Sequence, residues 1–341
     1  MKEITRRRLR ATARIGAIAA LGGGLFGFAS SHAEPLVALR GAIIGGVIGT
    51  VLSLFELLFL SGRSGVRLRR LPFTLVLAIR AVVSFTVFAV ALSLGPILIK
   101  DPEPGATGAS FQAAMAFSAG LSLVFLIVLQ VDAMLGQGEL WKLVRGRYHR
   151  PLEEERIFLL IDLIDSTAIA ERIGGVRFFE LLNRLYEDIA EPIAEHRGAI
   201  HKYVGDEVIV TWTPETGLPE ARALACALAI DAAVTAKAAS YRAEFGAVPR
   251  FRAGLHLGLV VSGELGSGKR EIAYLGDTIN TATRLIDACR ELGCICIASK
   301  SIIDRVELPP GIRAEPLGEK TLRGKEKPIS LYTVTRSAPP G

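Results

Sequence analysis

Residues 158–167 read FLLIDLIDST, and this stretch decides the fold of the second half of the chain. It opens with an almost unbroken apolar run and places Asp162 at the end of that run. A second stretch, HKYVGDEV at residues 201–208, places Asp206 directly after a glycine and between two short apolar segments. Continuous apolar runs of this kind are typical of strands that are buried on both faces. The two stretches predict neighbouring strands of a buried sheet that bring two carboxylates to one edge.

Charged carboxylates at such an edge are costly unless other charges pair them. A pair of divalent cations is the usual partner where the substrate is a nucleoside triphosphate, because the ions neutralise acids and phosphates together. Asp162 and Asp206 are therefore the candidate metal ligands.

The composition divides the chain into two parts. The 341 residues suffice for two domains, and a mean hydropathy of +0.39 is high for a soluble protein. The long apolar runs all precede about residue 131, and a soluble α/β pattern begins near residue 151. The net charge of +6 would fit nucleic-acid binding, but much of the positive charge flanks the apolar runs, so we expect no nucleic-acid partner. Four cysteines without a completing ligand pair predict buried free thiols in a reducing compartment.

Residues 1–131 are predicted to form an all-α membrane domain of about four helices. Four apolar runs are near the length that spans a bilayer at about 1.5 Å per residue, and they cover 15–31, 41–60, 80–99 and 111–131. Lys and Arg are concentrated before the first run, after the second and after the fourth. The positive-inside rule then predicts a multi-pass protein of the inner or plasma membrane, with both termini in the cytoplasm. The alternative for the first run is a cleaved signal peptide, because small residues follow it.

Two smaller features of this half also carry expectations. Arg80 lies at the edge of the third run and is expected to extend to the membrane interface. Glycines at 22–24, 41, 45 and 46 permit close contact between helices. Residues 132–155 are predicted to be a juxtamembrane coupling helix and linker, and the helix ends near Pro151.

The second half alternates strand and helix patterns in the order β-α-β-β-α-β. The predicted strands are 157–164, 199–204, 208–212, 251–264, 272–275 and 295–298. The predicted helices are 168–173, 178–196, 218–245 and 279–292. Ser166 and Thr167 are expected to cap the first of these helices. The pattern indicates an α/β (α+β) domain with a ferredoxin-like βαββαβ sheet and additions, over residues 156–335, followed by a tail at 336–341.

A third informative stretch, GDTINTATRL, occupies residues 276–285. It places Asn280 and Arg284 one turn apart on a predicted helix, so the two side chains share a face. An amide beside a guanidinium suits the recognition of an oxyanion, and Arg can spread charge over a phosphoryl transition state. The alternative interpretation is an ordinary solvated helix face.

Four motifs occur along the second half of the chain in this order: FxxxDxxxST at 158–167, KxxGDE at 202–207, GDxxNxxxR at 276–284 and LRGxxxP at 322–328. With these motifs the second half of the chain resembles the class III nucleotidyl cyclase catalytic domain, the family of adenylate and guanylate cyclases. The resemblance implies conversion of ATP to 3′,5′-cyclic AMP and pyrophosphate, by in-line attack of the ribose 3′-hydroxyl on the α-phosphate.

The resemblance also implies a role for each matched residue. Asp162 and Asp206, with the backbone of Leu163, would hold two Mg²⁺ or Mn²⁺ ions, and amides near Ser166 and Thr167 would cradle phosphate. The remaining implied roles are purine contact by Lys202, ribose orientation by Asn280, stabilisation of the α-phosphoryl charge by Arg284 and contact with the terminal phosphates by Arg323. In this family the metal-binding acids come from one domain and the Lys, Asn and Arg from another. Because one domain of this chain carries both sets, the resemblance implies a homodimer with two shared sites.

Two positions depart from the family pattern. Asp165 stands where glycine is usual, and we expect its side chain to face solvent. Ala273 stands three residues before Gly276, where adenylate enzymes commonly carry Asp or Thr to bond the adenine amino group. Because Ala273 has no such group, base choice would depend on Lys202 and the backbone, and a guanylate or dual-specificity cyclase remains an alternative. A catalytically silent, dimeric membrane signalling module is the third hypothesis, after an adenylate cyclase and a guanylate or dual-specificity cyclase.

Overall fold

The computed structural model describes residues 2–30, 34–56, 73–98, 149–267 and 271–337, together with isolated residues between 112 and 128. The chain divides into two compact units, Met1–Val131 and Asp132–Gly341. About half of the fourth predicted span, and nearly all of the predicted coupling helix, lie outside the described residues.

The first unit is helical. Its elements are α1 (Lys2–Ser30), α2 (Pro35–Phe55) and α3 (Phe73–Leu98). By length and composition, Thr12–Ala29 of α1 and Pro35–Phe55 of α2 are long and apolar enough to cross a membrane, and α3 contains the shorter apolar segment Ala78–Ala91. The described part of the chain thus contains two candidate spans, whereas the hydropathy pattern predicts about four.

Glycines set the packing of α1 on α2. A β-carbon added to Gly23 would lie 2.2 Å from the carbonyl oxygen of Gly41, and one on Gly45 would lie 2.4 Å from that of Ala19. No side chain fits at such separations, so the helices approach backbone to backbone. The predicted close contact between glycine-rich helices is confirmed, and it occurs within one chain. Arg80 of α3 forms a salt bridge of 3.3 Å with Glu56 of the same chain, which the sequence analysis did not predict.

The second unit is built on one eight-stranded sheet. Its strands are β1 (Leu152–Leu163), β2 (Ala199–Val204), β3 (Glu207–Trp212), β4 (Phe251–Leu265), β5 (Glu271–Leu275), β6 (Cys296–Ser299), β7 (Ile312–Lys320) and β8 (Ile329–Arg336). Its helices are α4 (Ser166–Ile173), α5 (Gly175–Glu195), α6 (Pro214–Gly217), α7 (Arg222–Ala236), α8 (Ala238–Phe245), α9 (Asp277–Leu292) and α10 (Lys300–Ile303).

The strand order is β2-β3-β1-β4-β6-β8-β7, and β5 pairs with β4 outside this linear order. The segment β2-β3-β1-β4 is antiparallel throughout, which is the ferredoxin-like arrangement. The predicted fold class is therefore confirmed, with β7 and β8 as a terminal hairpin that the sequence analysis did not predict.

Side chains of β1 alternate between two cores. Ile157 and Leu159 pack on the face that α5, α7 and α8 cover, whereas Phe158 and Leu160 pack on the opposite face with residues of β5 and α9. Asp162 continues the alternation of Phe158 and Leu160, so it lies on the α9 face of the sheet.

Three sequence-based boundaries are wrong. β1 begins at Leu152, inside the predicted linker, because Glu153 and Glu155 pair with β4. The predicted helix 218–245 breaks at Lys237, whose ammonium bonds the Asp188 carboxylate at 2.6 Å on α5. The position before α4 is Asp165, so Ser166 and Thr167 do not cap this helix but form its first turn.

Candidate active site

Asp162 and Asp206 lie at the same end of the sheet. β1 and β3 pair in register as far as Ile161 opposite Val208, and Asp162 and Glu207 are the next residues along the two strands. Asp206 precedes Glu207 in the turn of the β2–β3 hairpin. Burial raises the pKa of Asp162 and the charge of Asp206 raises it further, against opposing effects of Arg290 and Arg252. The structure thus brings the two predicted metal ligands together.

Glu207 is a third carboxylate at this edge, and the sequence analysis did not single it out. Burial raises the pKa of Glu207 to about 7, and the charges of Asp162 and Asp206 contribute. Like charges in a partly buried cluster oppose one another's ionisation, and a divalent cation removes that opposition. We call these three residues the acid cluster.

The donor chemistry of the acid cluster fits Mg²⁺ or Mn²⁺, which prefer oxygen ligands. Within the described residues, no three His, Cys, Asp or Glu side chains are arranged to hold a metal ion by themselves. Mg²⁺ usually takes one or two carboxylates and completes its shell with water and substrate phosphates. Asp162 and Asp206, which the sequence predicts as ligands together with the backbone of Leu163, would fit this pattern.

The turn that leads into α4 is shaped by one unusual residue. Asp165 has φ 57° and ψ 30°, the left-handed conformation that glycine adopts most easily and that Asp tolerates better than most residues. Its side chain is exposed, as predicted. The backbone amides of the first helical turn, at Ser166 and Thr167, have no acceptor within the helix and suit a phosphate group.

The tip of the β2–β3 hairpin is held from α5. The Tyr186 hydroxyl donates to the carbonyl of Gly205 at 2.8 Å, and its ring stacks on Tyr203 with 4.3 Å between centroids. Burial, together with the charge of Asp206, raises the pKa of Tyr186 to about 12, so the phenol keeps its proton and remains a donor. Nothing in the sequence motifs pointed to Tyr186.

A β-bulge sets the direction of Lys202. Ile200 pairs with Val210 and Lys202 with Ile209, so His201 is the extra residue of β2. Without the bulge, Ile200 and Lys202 would share a face; with it, Ile200 packs on the α5 face and Lys202 lies on the face of Ile209 and α9. The Lys202 ammonium lies 3.3 Å from both carboxylate oxygens of Glu271 on β5.

β5 packs against the same face of the sheet. The ring of Tyr274 contacts Phe158 of β1 at 5.5 Å and His201 of β2 at 4.8 Å between centroids. Ala273 follows Glu271, the partner of Lys202, by two residues on this strand. Glu271 was missed because no motif includes it.

The side chain of Arg284 extends from the middle of α9 toward the N-terminal end of that helix. Its guanidinium donates to Asp277 at 3.4 Å, and Lys325 contacts the other oxygen of the same carboxylate. A β-carbon at Gly324 would lie at an ordinary contact distance of 3.4 Å from the guanidinium, so the glycine is favoured there by its φ of 71° and not by lack of space. Asn280 is exposed one turn earlier on α9. Lys325 was not predicted, whereas the predicted Arg323 is exposed in the same loop and two residues away.

Within one protomer the predicted residues form two groups. Asp162 interacts with Asp287 and Arg290 near the C-terminal end of α9, whereas Arg284 contacts Asp277 at its N-terminal end. Ten residues separate Asp277 from Asp287, about 15 Å along a helix axis. We use the name basic cluster for two acid-paired sets taken together, Lys202 with Glu271, and Arg284 and Lys325 with Asp277.

The fold is that of an α/β (α+β) domain with a ferredoxin-like sheet, and the comparisons identify its family. Residues 152–336 match the family model of the adenylate and guanylate cyclase catalytic domain. The match covers more than half of the chain, and the protein belongs to this family.

Named relatives agree with this assignment. Adenylate cyclase 2 of Rhizobium meliloti is 36% identical over 221 residues, which cover 65% of this chain and 61% of that protein. Adenylate cyclase 1 of the same organism is 28% identical over 186 residues, 53% of this chain and 27% of that protein. The chain thus spans about three fifths and about a quarter of these relatives. The solved structure of a bacterial light-regulated adenylyl cyclase superposes with a TM-score of 0.55 at 21% identity over 64% of each chain, which supports the fold.

Proposed function

We propose that this protein is a membrane-bound adenylate cyclase that converts ATP to 3′,5′-cyclic AMP and pyrophosphate. The observation that carries the proposal is the acid cluster, in which burial and the neighbouring Asp206 raise the pKa of Asp162. Carboxylates held in this way are suited to bind divalent cations together with a triphosphate. Family membership and the similarity to named adenylate cyclases support the same reaction.

Each predicted residue has a physical role in this reaction. Asp162 and Asp206 would hold two Mg²⁺ or Mn²⁺ ions, which supply activation of the 3′-hydroxyl and neutralisation of the phosphates. The amides of Ser166 and Thr167 would bind phosphate at the start of α4. Arg284 spreads charge from the α-phosphoryl group as the ribose oxygen attacks and pyrophosphate leaves, and Asn280 orients the ribose.

The remaining cations bind the two ends of the substrate. Lys202 contacts the purine, and Arg323 reaches the terminal phosphates from the β7–β8 loop. Lys325 lies beside Arg284 on Asp277 and adds positive charge at the same place.

The separation of the two clusters supports a shared site. The acid cluster lies near the C-terminal end of α9 and the Arg284 guanidinium near its N-terminal end, so the acids of one protomer would act with the basic cluster of another. A twofold axis supplies both combinations at once, which gives two equivalent sites per homodimer.

The membrane domain is proposed for residues 1–131, a coupling segment for 132–151 and the catalytic domain for 152–336. The two apolar helices support attachment to the inner or plasma membrane. The distribution of Lys and Arg supports a cytoplasmic catalytic domain and several passes through the bilayer.

A guanylate or dual-specificity cyclase is the second candidate, because Ala273 has no hydrogen-bonding side chain. The full chain, purified in detergent, is incubated with ATP or GTP and Mg²⁺ or Mn²⁺, and products are separated by chromatography. We expect cyclic AMP from ATP, and no product from the Asp162→Ala variant. Activity of that variant equal to wild type would exclude the proposed site. A dimer inactive with both nucleotides would favour the silent signalling module.

Complementation tests the shared site directly. Asp162→Ala and Arg284→Ala chains are each inactive, but a heterodimer of the two has one complete site and one doubly defective site. After random exchange of an equal mixture, we expect about a quarter of wild-type activity. Absence of rescue, with heterodimers demonstrated by differently tagged chains, would contradict site sharing.

A further inference from the structure

We infer that Glu271 and Lys202 read the purine base as a pair, with the carboxylate of Glu271 making the base contact that Ala273 cannot make. The inference rests on the proposed function and names a specificity-determining residue within its site.

The first step is the position of Lys202. The bulge at His201 turns Lys202 away from the face where Ile200 packs and toward β5. The ammonium then meets the carboxylate of Glu271 at 3.3 Å to each oxygen. The backbone irregularity thus directs this lysine to one particular acid.

The second step is the position of Glu271. Glu271 and Ala273 are two apart on β5, opposite Leu265 and Gly263 of β4, so their side chains leave the strand on the same side. They are separated by about 7 Å, a distance that the longer Glu side chain can partly cover. The carboxylate of Glu271 can therefore reach toward the space beside Ala273.

The third step is the exposure of the pair. The side chains of Lys202 and Glu271 are 47% and 42% exposed, so a ligand can reach both. An ion pair this exposed contributes little to stability. The free energy of folding gained from this ion pair is therefore too small to explain why the bulge directs Lys202 to Glu271.

The fourth step is the hydrogen-bonding chemistry of the bases. Adenine presents an acceptor at N1 and a donor at its 6-amino group, which match an ammonium and a carboxylate side by side. Guanine presents an acceptor at O6 and a donor at N1, which is the opposite order along the ring edge. Once the ribose fixes the base, a carboxylate that faces the 6-amino group of adenine would face the O6 lone pairs of guanine. The pair thus favours ATP.

The test measures kcat and KM of the full-length enzyme for ATP and GTP. We expect Glu271→Gln to lower the ratio of kcat/KM for ATP to that for GTP between about tenfold and a hundredfold, the range of a charge-assisted hydrogen bond. The loss should appear mainly in the KM for ATP, because a base contact is the same in ground and transition states. Glu315→Gln, which removes an exposed glutamate of β7, is the matched control and should leave the ratio unchanged.

A rescue variant separates base reading from the mere support of Lys202. The double variant Glu271→Gln/Ala273→Asp restores a carboxylate at the position used by adenylate enzymes, and we expect it to regain selectivity for ATP. An active Glu271→Gln enzyme with unchanged selectivity would overturn the inference and leave the proposed function intact. Equal losses for both nucleotides without rescue would also overturn it. A wild-type protein that cyclises neither nucleotide would remove the proposed function and this inference together.

Discussion

The acid cluster and the basic cluster are built by opposite electrostatic means. In the acid cluster, burial and like charges raise the pKa of Asp162 and of Glu207, and nearby arginines do not compensate fully. In the basic cluster each named cation has an acid of its own protomer: Asp277 holds Arg284 and Lys325, and Glu271 holds Lys202. The acid cluster has an excess of negative charge, whereas every named cation of the basic cluster already has an acidic partner.

This difference indicates how the two clusters contribute to the site. Carboxylates that oppose each other's ionisation gain stability when cations arrive, so we expect the acid cluster to bind ions. Cations already held in position need little reorganisation when substrate arrives, so the basic cluster is preorganised for charge stabilisation. Neutral substitutions in the acid cluster should lower the activity and raise the stability of the metal-free protein. Substitutions in the basic cluster should lower the activity without raising the stability.

The largest expected effect comes from Asp162→Asn. If Asp162 is a metal ligand as proposed, its loss should lower cyclic AMP formation by about a thousandfold or more, the equivalent of several kcal/mol of transition-state stabilisation. In the absence of metal the same variant should melt at a higher temperature than wild type, because a partly buried like charge is gone. Thermal unfolding in EDTA measures this, with the exposed Asp304→Asn as control. A lower melting temperature would show that the acid cluster is not electrostatically strained.

The next effect concerns a histidine beside the basic cluster. His256 on β4 bonds Ser299 at 2.7 Å, and burial, with a contribution from Lys325, lowers its pKa to about 4. The unfolded chain binds a proton at this histidine below about pH 6.5, whereas the folded chain binds it only near pH 4. The contribution of neutral His256 to the free energy of unfolding is therefore fully present above about pH 6.5, and it is lost as the pH falls from about 6.5 to about 4. By pH 5 the loss from this group should be about 2 kcal/mol.

Urea unfolding at pH 7 and pH 5, followed by the fluorescence of buried Trp212, measures this loss. His256→Gln should remove about that much of the pH dependence. An unchanged pH dependence in the variant would mean that His256 titrates normally in the folded chain.

The acid cluster was easier to predict from the sequence than the basic cluster. Asp162 follows an apolar strand and Asp206 sits in a hairpin turn, so the pattern of hydrophobic residues alone places both at one edge. The contacts of Glu271 and Lys325 depend on the bulge at His201 and on the β7–β8 loop, which are set by tertiary contacts between distant segments. No spacing in the sequence encodes these two contacts, whereas Asp277 and Arg284 are seven residues apart on one helix, a spacing that could have predicted their contact.

The same distinction explains the errors in the fold. The break at Lys237 is accompanied by its bond to Asp188 on another helix, and the extension of β1 to Leu152 reflects pairing of Glu153 and Glu155 with β4. Both override the local preference of the residues. The left-handed turn at Asp165, which replaces the predicted cap, is likewise a backbone conformation that a family glycine would signal and an aspartate does not.

A smaller effect is expected from Asp277→Asn in the basic cluster. The amide keeps the shape but loses the charge that orients Arg284 and Lys325. We expect kcat to fall about tenfold, near the low end of the value of a charge-assisted hydrogen bond, with little change in KM. Asp277→Glu should recover part of the activity. A variant with normal kcat would show that Arg284 does not depend on its acid.

The smallest effect is expected from Tyr186→Phe, which tests whether the acid cluster needs mechanical support. The variant removes the 2.8 Å hydrogen bond to Gly205 but keeps the ring that stacks on Tyr203. A neutral hydrogen bond contributes about 1 kcal/mol, so the Mn²⁺ concentration for half-maximal activity should rise about threefold to fivefold while saturated activity stays close to wild type. Tyr241→Phe, which removes a tyrosine hydroxyl bonded to Asp188, is the control, and its metal requirement should not change. If both variants respond alike, the hairpin tip is held by the fold as a whole, and the acid cluster owes its geometry to the paired strands β1 and β3.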